Sequence, residues 1–595
     1  MRPRPSQTQL RGAAAPRPLW WTIGHRRHNI VHLAAPPNGP VACFAEFWFE
    51  SRTKTRNVLM VASAPTAQEE PQLLGGGTGR AGVNPWFIAS IVTIATFMEV
   101  LDTSIANVAL PHIAGSLAAS RSDAAWVLTS YLVSNAIVLP LNAFFSQWIG
   151  RKNYYMGCVA LFTLSSLACG LAPNLGMLVF FRVLQGAGGG GLQPSEQAIL
   201  VDTFPGKKRG MAMAFYGVVV VLAPIIGPTL GGYITDHYTW RWIFFINVPV
   251  GILSLVLSHQ FLQDPPDMAR KSLKQGLRID YIGLGLLSVG LGFLQIMLDR
   301  GQQDDWFASH FILMCAVLAF GGIVGAFVWE WFSSDPIVDF HLLAERNFGM
   351  TTLGMLIFGG VLFGSTVLLP LFVQTLLGYT AMEAGLVISP GGVVVLLLMP
   401  LVGFLLGRVQ ARWLILLGVM LNVYALWQMG HFDLHVNYYT VAWDRGIQAA
   451  GLAFLFVPIN TVAYAFIPKN KTNNASGIIN LARNVGGSVG ISLSTAFVSR
   501  ISQKKQAHLV GHVSNFNPTY HAALRHMTKA LAGHGGLYSA TIRAQAFIYK
   551  QVQSQARVLA YVDVFRTLSL MFLIMVPVVF LMKHTDPRQQ AGGGH

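Results

Sequence analysis

The stretch ATFMEVLDTSIANVALPHI, residues 95–113, decides the fold. It reads as apolar helix on both sides of an acid, Asp102. A carboxylate at the centre of a bilayer costs roughly 2.5–3.5 kcal/mol on insertion scales, so such a residue faces a protein interior or an aqueous cavity and by default marks function. The neighbourhood therefore has to be a membrane bundle with a task for that acid.

Composition points the same way. The chain has 595 residues, 53% of them hydrophobic and 11% charged, with a mean hydropathy of +0.49. A soluble domain carries about 25% charged residues. Apolar runs of about 20 residues recur from Trp86 to Leu581, each matching a ~30 Å hydrocarbon layer. The fold class is an all-α polytopic membrane protein. Fourteen spans are expected, at about 86–110, 124–145, 154–172, 176–200, 211–234, 242–262, 279–299, 309–332, 349–373, 384–407, 413–431, 443–467, 478–498 and 563–582.

The net charge of +16 needs no nucleic acid. The loops on one side carry Arg151, Lys152, Lys207, Lys208, Arg209, Arg270, Lys271, Lys274, Arg278, Arg346, Arg408, Arg412, Lys469 and Lys471. The short loops opposite carry Arg121, Arg241 and Arg300. Basic residues collect on the cytoplasmic side, so both termini are expected in the cytoplasm. The four cysteines (Cys43, Cys158, Cys169 and Cys315) show neither metal-ligand nor disulfide spacing, and the last three sit in apolar runs as packing residues.

Two regions lie outside the bundle. Residues 1–80 are polar, rich in Pro, Arg and Gly, and contain no signal peptide. MVASAPTAQEEPQLL looks like a natural beginning, so Met60 is the expected start and 1–59 an upstream extension. The segment 499–562 is a long polar loop with helix-like flanks. Its histidines (His508, His512, His521, His526, His534) lack metal-ligand spacing, leaving a solvated loop or a docking site for a periplasmic partner. No GxxxxGK[ST] phosphate loop, H-E-x-x-H or Ser/His/Asp arrangement stands out, so an ion gradient rather than a cofactor or metal has to supply the energy.

The membrane-embedded polar residues carry the chemistry. Asp102 lies nine residues before Pro111, or about 13 Å, which is close to the midplane. A carboxyl held out of water loses the cost of its charge by binding a proton, which makes Asp102 a candidate proton carrier. The alternative is a helix-packing group bonded to Thr103 or Asn107. Arg182, in FFRVLQGAGGGGLQPSEQAIL, sits at similar depth and is the expected partner, since arginine keeps its charge throughout. The run GAGGGG, 186–191, admits either close helix packing or close approach of a substrate. Pro194 interrupts the backbone ladder. Glu196 returns to the face of Arg182, ~21 Å deeper, and either lines a cavity or reaches the interface. Glu196, Asn107 and Gln185 are the polar candidates for a substrate cavity. In APIIGPTLGGYI, 223–234, Pro224 and Pro228 bend the helix while Gly227, Gly231 and Gly232 permit tight contact.

These stretches resemble the major facilitator superfamily, specifically its fourteen-span drug:proton antiporter family (EmrB/QacA type). LDTSIANVALP resembles its first-span signature, RVLQG (182–186) its fourth-span arginine motif, and GPTLGG (227–232) its antiporter motif. WRWIFFINVPVGI (240–252) and LQIMLDRG (294–301) add to it. The resemblance implies two six-helix bundles, 81–275 and 346–595, with two inserted helices in 276–345. It implies Asp102 as proton-coupling acid, Arg182 as its regulator and span 5 as the conformational element. It also implies a cytoplasmic gate after span 2. There the family pattern G-x-L-a-D-R-x-G-R-K reads AFFSQWIGRK (143–152), so Gln147 and Trp148 replace the acid and first arginine, and Gly150, Arg151 and Lys152 remain.

The function so implied is export of hydrophobic or amphipathic drugs and toxic compounds in exchange for protons. The long loop resembles that of inner-membrane pumps that work with a periplasmic adaptor and an outer-membrane channel. Proton-coupled nutrient uptake is the alternative. A sensor or enzyme is the weaker third, because no catalytic constellation stands out.

Overall fold

The computed structural model describes residues 83–204, 206–264, 280–334, 336–514, 516–532 and 537–583. The 1–80 extension with Met60, the loop residues Arg270, Lys271, Lys274 and Arg278, and His534 lie outside the described residues. Among the described residues there is no strand.

Among the described residues thirteen helices are long and apolar enough to cross a membrane. In chain order they are span 1 (Pro85–Ser116), span 2 (Ser122–Ile149), span 3 (Arg151–Leu171), span 4 (Leu175–Thr203), span 5 (Lys208–His237), span 6 (Trp242–Phe261) and span 7 (Tyr281–Arg300). Then come span 8 (His310–Phe332), span 9 (Arg346–Leu376), span 10 (Met382–Leu405), span 11 (Ala411–Met429), span 12 (Tyr438–Ala463) and span 14 (Tyr538–Leu581).

The stretch read as a thirteenth span, 478–498, lies in the 39-residue helix Thr472–Val510. It is long enough but falls short in apolarity, because it turns Asn473, Ser476, Asn480 and Arg483 inward, where all are buried. Glycines seat it on span 9. A Cβ on Gly360 would stand 3.2 Å from the Gly486 carbonyl, and one on Gly364 3.2 Å from that of Gly490. Backbone-to-backbone contact of this kind holds helices together without side-chain hydrophobicity.

Spans 1 to 6 pack on one another: span 1 on spans 4, 5 and 6, span 2 on span 4, and span 3 on spans 4 and 6. Spans 9 to 14 do likewise, with span 9 on helix 472–510, and span 12 on spans 10 and 11. Spans 7 and 8 pair with each other, and span 7 also touches span 2. The two groups meet where span 5 runs along span 10, and where helix 472–510 meets spans 2 and 4.

Span 5 carries both of its prolines inside one helix. The helix runs unbroken from Gly206 to His237 through both Pro224 and Pro228. Pro228 lacks the N–H that would satisfy the Pro224 carbonyl. Ser104 of span 1 supplies the missing donor, its Oγ giving to the Pro224 oxygen at 3.2 Å. Gly227 faces the Ser104 side chain and Gly231 faces Ile105, whereas Gly232 faces open space. Two of the three glycines therefore build the contact between spans 1 and 5.

The flanks of 499–562 that read as helix-like are helical, and a further helix lies between them. Helix 472–510 continues into this segment, Pro518–Leu531 forms a separate helix, and Leu537–Leu573 runs from it into span 14. Lys505 and Asp563 pair at 3.0 Å across the two long helices.

Candidate functional site

Span 1 presents a polar stripe. Thr93, Thr96, Glu99 and Asp102 recur every third residue, and all are buried. Each of Thr93, Glu99 and Asp102 meets span 4, so the two helices are joined at three levels.

At the first level Asp102 pairs with Arg182, Nη1 to Oδ2 at 2.6 Å, with both side chains almost fully enclosed. Gln185 Nε2 and Asn247 Nδ2 donate to the other oxygen, at 3.0 and 2.8 Å. Arg182 also donates to the Val127 carbonyl and to Gln185 Oε1, both at 2.9 Å. The sequence-expected partners thus meet. Neither Thr103 nor Asn107 binds the acid. Thr103 Oγ1 donates to the Val100 carbonyl, and Asn107 is exposed, donating to the Thr103 carbonyl. Asn107 stands apart from this cluster, while Gln185 belongs to it.

The second level centres on Glu99, which the sequence reading missed. Gln193 Nε2 donates to it at 2.6 Å and the Tyr131 hydroxyl at 3.0 Å. Gln193 Oε1 in turn accepts from Arg483, on helix 472–510, and from the Tyr216 hydroxyl at 3.3 Å. A chain of hydrogen bonds, Glu99–Gln193–Arg483, therefore connects the two helix groups. Tyr131 joins this level to the first, because the Arg182 guanidinium lies 4.4 Å from its ring centre. Next to Arg483, the rings of Tyr216, Phe456 and Phe358 form an aromatic cluster at 5.6–5.8 Å spacing.

The glycine run explains how Tyr131 reaches Glu99. A Cβ on Gly189 would come within 2.5 Å of the Tyr131 hydroxyl, and one on Gly188 within 2.7 Å of the Phe162 nitrogen. The run is a packing seat for spans 2 and 3. The helix ends at Gly190, four residues upstream of Pro194, which removes a donor and crowds the Gly190 carbonyl, and it restarts at Leu192.

At the third level Glu196 is fully buried and accepts from Thr93 at 2.5 Å, so it does not reach an interface. One residue on, Gln197 crosses to the other group. Its Oε1 accepts from Tyr464 at 2.8 Å and from Asn480 at 2.7 Å.

The segment after span 2 is organised around Gly150, whose φ of 88° and ψ of 147° suit glycine alone. Arg151 pairs with Asp202 at the end of span 4 at 2.5 Å, and the Lys152 N–H donates to Asp264 at 2.8 Å. Asp202 supplies the acid that Gln147 does not. These contacts brace spans 3, 4 and 6 within one helix group. What crosses between the groups at this end is Gln197, with Gln193 above it.

Residues 92–491 match the family model described as Major Facilitator Superfamily. The multidrug export protein EmrB of Escherichia coli K12 is 37% identical over 504 residues, 84% of this chain and 96% of its own. The fatty acid resistance protein FarB of Neisseria gonorrhoeae is 35% identical over 509 residues, 84% and 96%. In fold, the chain resembles the proton:xylose symporter XylE with a TM-score of 0.51 at 14% identity, covering 84% of this chain and 97% of that one. The apolar helices and these matches together place the chain: it belongs to the Major Facilitator Superfamily, whose members are secondary transporters.

Proposed function

We propose that this protein exports drugs and other toxic amphiphiles in exchange for protons, with Asp102 as the proton-binding group and Arg182 as its regulator. The observation that carries the reading is the enclosed Asp102–Arg182 pair, set in a chain similar over most of its length to multidrug export proteins. A proton arriving on Asp102 cancels the charge that holds Arg182. The guanidinium then leans on Val127, Gln185 and Tyr131, and Tyr131 passes the change to Glu99 through its hydroxyl. Glu99, Gln193 and Arg483 bridge the two halves, so altering this chain of bonds alters how tightly they close. Substrate binds in the same region against Tyr216, Phe358 and Phe456, with Glu99 and Glu196 favouring cations. Alternating access is rocking of residues 81–275 against 346–595, with 276–345 as an insert. Span 5 with Pro224, Gly227, Pro228, Gly231 and Gly232 is the element on which the rocking turns. Gly150, Arg151 and Lys152 stiffen the gate on the cytoplasmic side.

The basic-residue bias supports an inner-membrane orientation with both termini inside. The helices flanking 510–537 then reach toward the periplasm, where an adaptor protein linked to an outer-membrane channel is their partner. The test is transport of a cationic dye into inverted membrane vesicles. Dye accumulates when the lumen is acidified, and collapsing the pH gradient abolishes it. Accumulation that ignores the gradient, or movement in the uptake direction, rejects the proposal.

A further inference from the structure

Span 12 repeats, in the second half of the molecule, the local design that holds Arg182. Asn174 caps the helix Leu175–Gly190 and accepts from the Met177 N–H. Asn437 caps Tyr438–Ala463 and accepts from the Thr440 N–H. In both helices the eighth residue after the cap is arginine, and a glutamine follows three residues later: Arg182 and Gln185, Arg445 and Gln448. In both, the arginine Nη1 donates to the glutamine Oε1, at 2.9 and 2.6 Å. Both arginines lie about 10 Å along the axis from the start of their helix.

The two sites differ in the residue that faces the guanidinium. Arg182 meets Asp102 of span 1, whereas Arg445 meets Thr366 of span 9, whose Oγ1 accepts from Nη2 at 3.2 Å. Among the described residues no carboxylate pairs with Arg445. Asp444 projects about 100° further round the helix. Arg445 is 1% exposed, and both its Nε and the Gln448 Nε2 lack an acceptor. A buried cation with no counter-charge is strongly unfavourable, and a planar guanidinium with a spare donor matches a carboxylate. Gly391 of span 10 passes over the arginine stem, where a Cβ would be 3.3 Å from Arg445 Cγ. Its neighbour Gly392 touches Leu222 and Ile225 of span 5. The guanidinium therefore lies beside the helices along which the two halves meet.

We infer that Arg445, Gln448 and Thr366 bind the carboxylate headgroup of an anionic amphiphile, the place that Asp102 fills internally in the other half. This rests on the export reading and adds a substrate class to it. An acid here would have made a second internal ion pair. A threonine leaves the charge for the cargo.

The experiment measures equilibrium binding of radiolabelled laurate to the full chain in lipid nanodiscs, and gradient-driven transport of laurate and of dodecyltrimethylammonium in vesicles. The variants are Arg445→Gln and Thr366→Asp. The second supplies the missing acid, so it keeps Arg445 paired and the fold intact even where the first fails to assemble. Thr366→Asp is expected to weaken laurate binding at least tenfold and to abolish laurate export, while dodecyltrimethylammonium export continues. Arg445→Gln, where it folds, does the same. Laurate affinity unchanged in Thr366→Asp overturns the inference. So does an inorganic-anion site, recognised by chloride displacing laurate from the wild type while Thr366→Asp still exports laurate. Absence of gradient-driven transport of either compound by the wild type rejects the export reading instead.

Discussion

Replacing Asp102 with asparagine tests whether the pair is a coupling device or a strut. The carboxylate accepts three bonds, from Arg182, Gln185 and Asn247, on two oxygens. An amide offers one oxygen, turns N–H groups toward a donor and leaves a fully enclosed guanidinium without counter-charge. Breaking one partner of a buried ion pair costs about 3–5 kcal/mol, so Asp102→Asn should lower stability by roughly that much. Removing both charges, in Asp102→Asn with Arg182→Gln, should return most of it, because the uncompensated cation is gone. Stability is read in detergent by a thiol-reactive fluorophore in a Cys43→Ser background, since Cys158, Cys169 and Cys315 are buried and label only on unfolding. Transport is read as dye accumulation in inverted vesicles with an acid lumen. Both variants should be inactive, the double variant despite its recovered fold. If the double variant pumps, or if Asp102→Asn is as stable and active as the wild type, the coupling role given to this pair is wrong.

Further outcomes follow from the geometry. Glu99→Gln keeps an acceptor for Gln193 and Tyr131 but drops the charge. Apparent affinity for a cationic dye should fall at least about tenfold, the equivalent of the 1.5–3 kcal/mol of a bond to a charged group, as measured by dye export against concentration. Gly227→Leu drives a side chain into Ser104 and should abolish export with the protein still inserted. Gly232→Ala, which meets nothing within 4 Å, should pump normally in the same assay. Asp202→Asn leaves Arg151 unpaired and should cost about 1.5–3 kcal/mol in the thiol-labelling assay. Gly150→Ala should cost about 1–3 kcal/mol there, because its φ and ψ lie where a Cβ is strained.

Much of this architecture was legible in the chain. Asp102 and Arg182 stand out because a charge in an apolar run has to be explained, and the structure brings those two side chains together. Glu99 was as visible, three residues upstream in the same quoted stretch, yet one acid drew the attention due to two. The signal was the three-residue repeat Thr93, Thr96, Glu99, Asp102, a polar stripe of the kind used to find amphipathic faces. Arg483 and Asp202 were harder. Arg483 sits inside the stretch read as a thirteenth span but was not singled out there, and its importance comes from Gln193, 290 residues away in sequence. Asp202 replaces an acid expected near residue 147, and only folding brings it to Arg151. What steadies the prolines of span 5 lies outside that helix. The bond lost through Pro228 is made good by Ser104, from another helix, and no reading of span 5 alone contains that serine.

The two long helices that flank residues 511–536 have a mechanical consequence. At 39 and 37 residues they measure about 58 and 55 Å, well beyond a ~30 Å hydrocarbon layer. Each is continuous from deep in the second bundle to its far tip, and the pair is tied by Lys505 and Asp563. Under the proposed rocking of the two halves, a stiff mast rooted in one of them swings with it. Arg483 lies on the buried stretch of one of these helices, so whatever rests on the mast's tip feels the state of the Glu99–Gln193–Arg483 chain as a displacement.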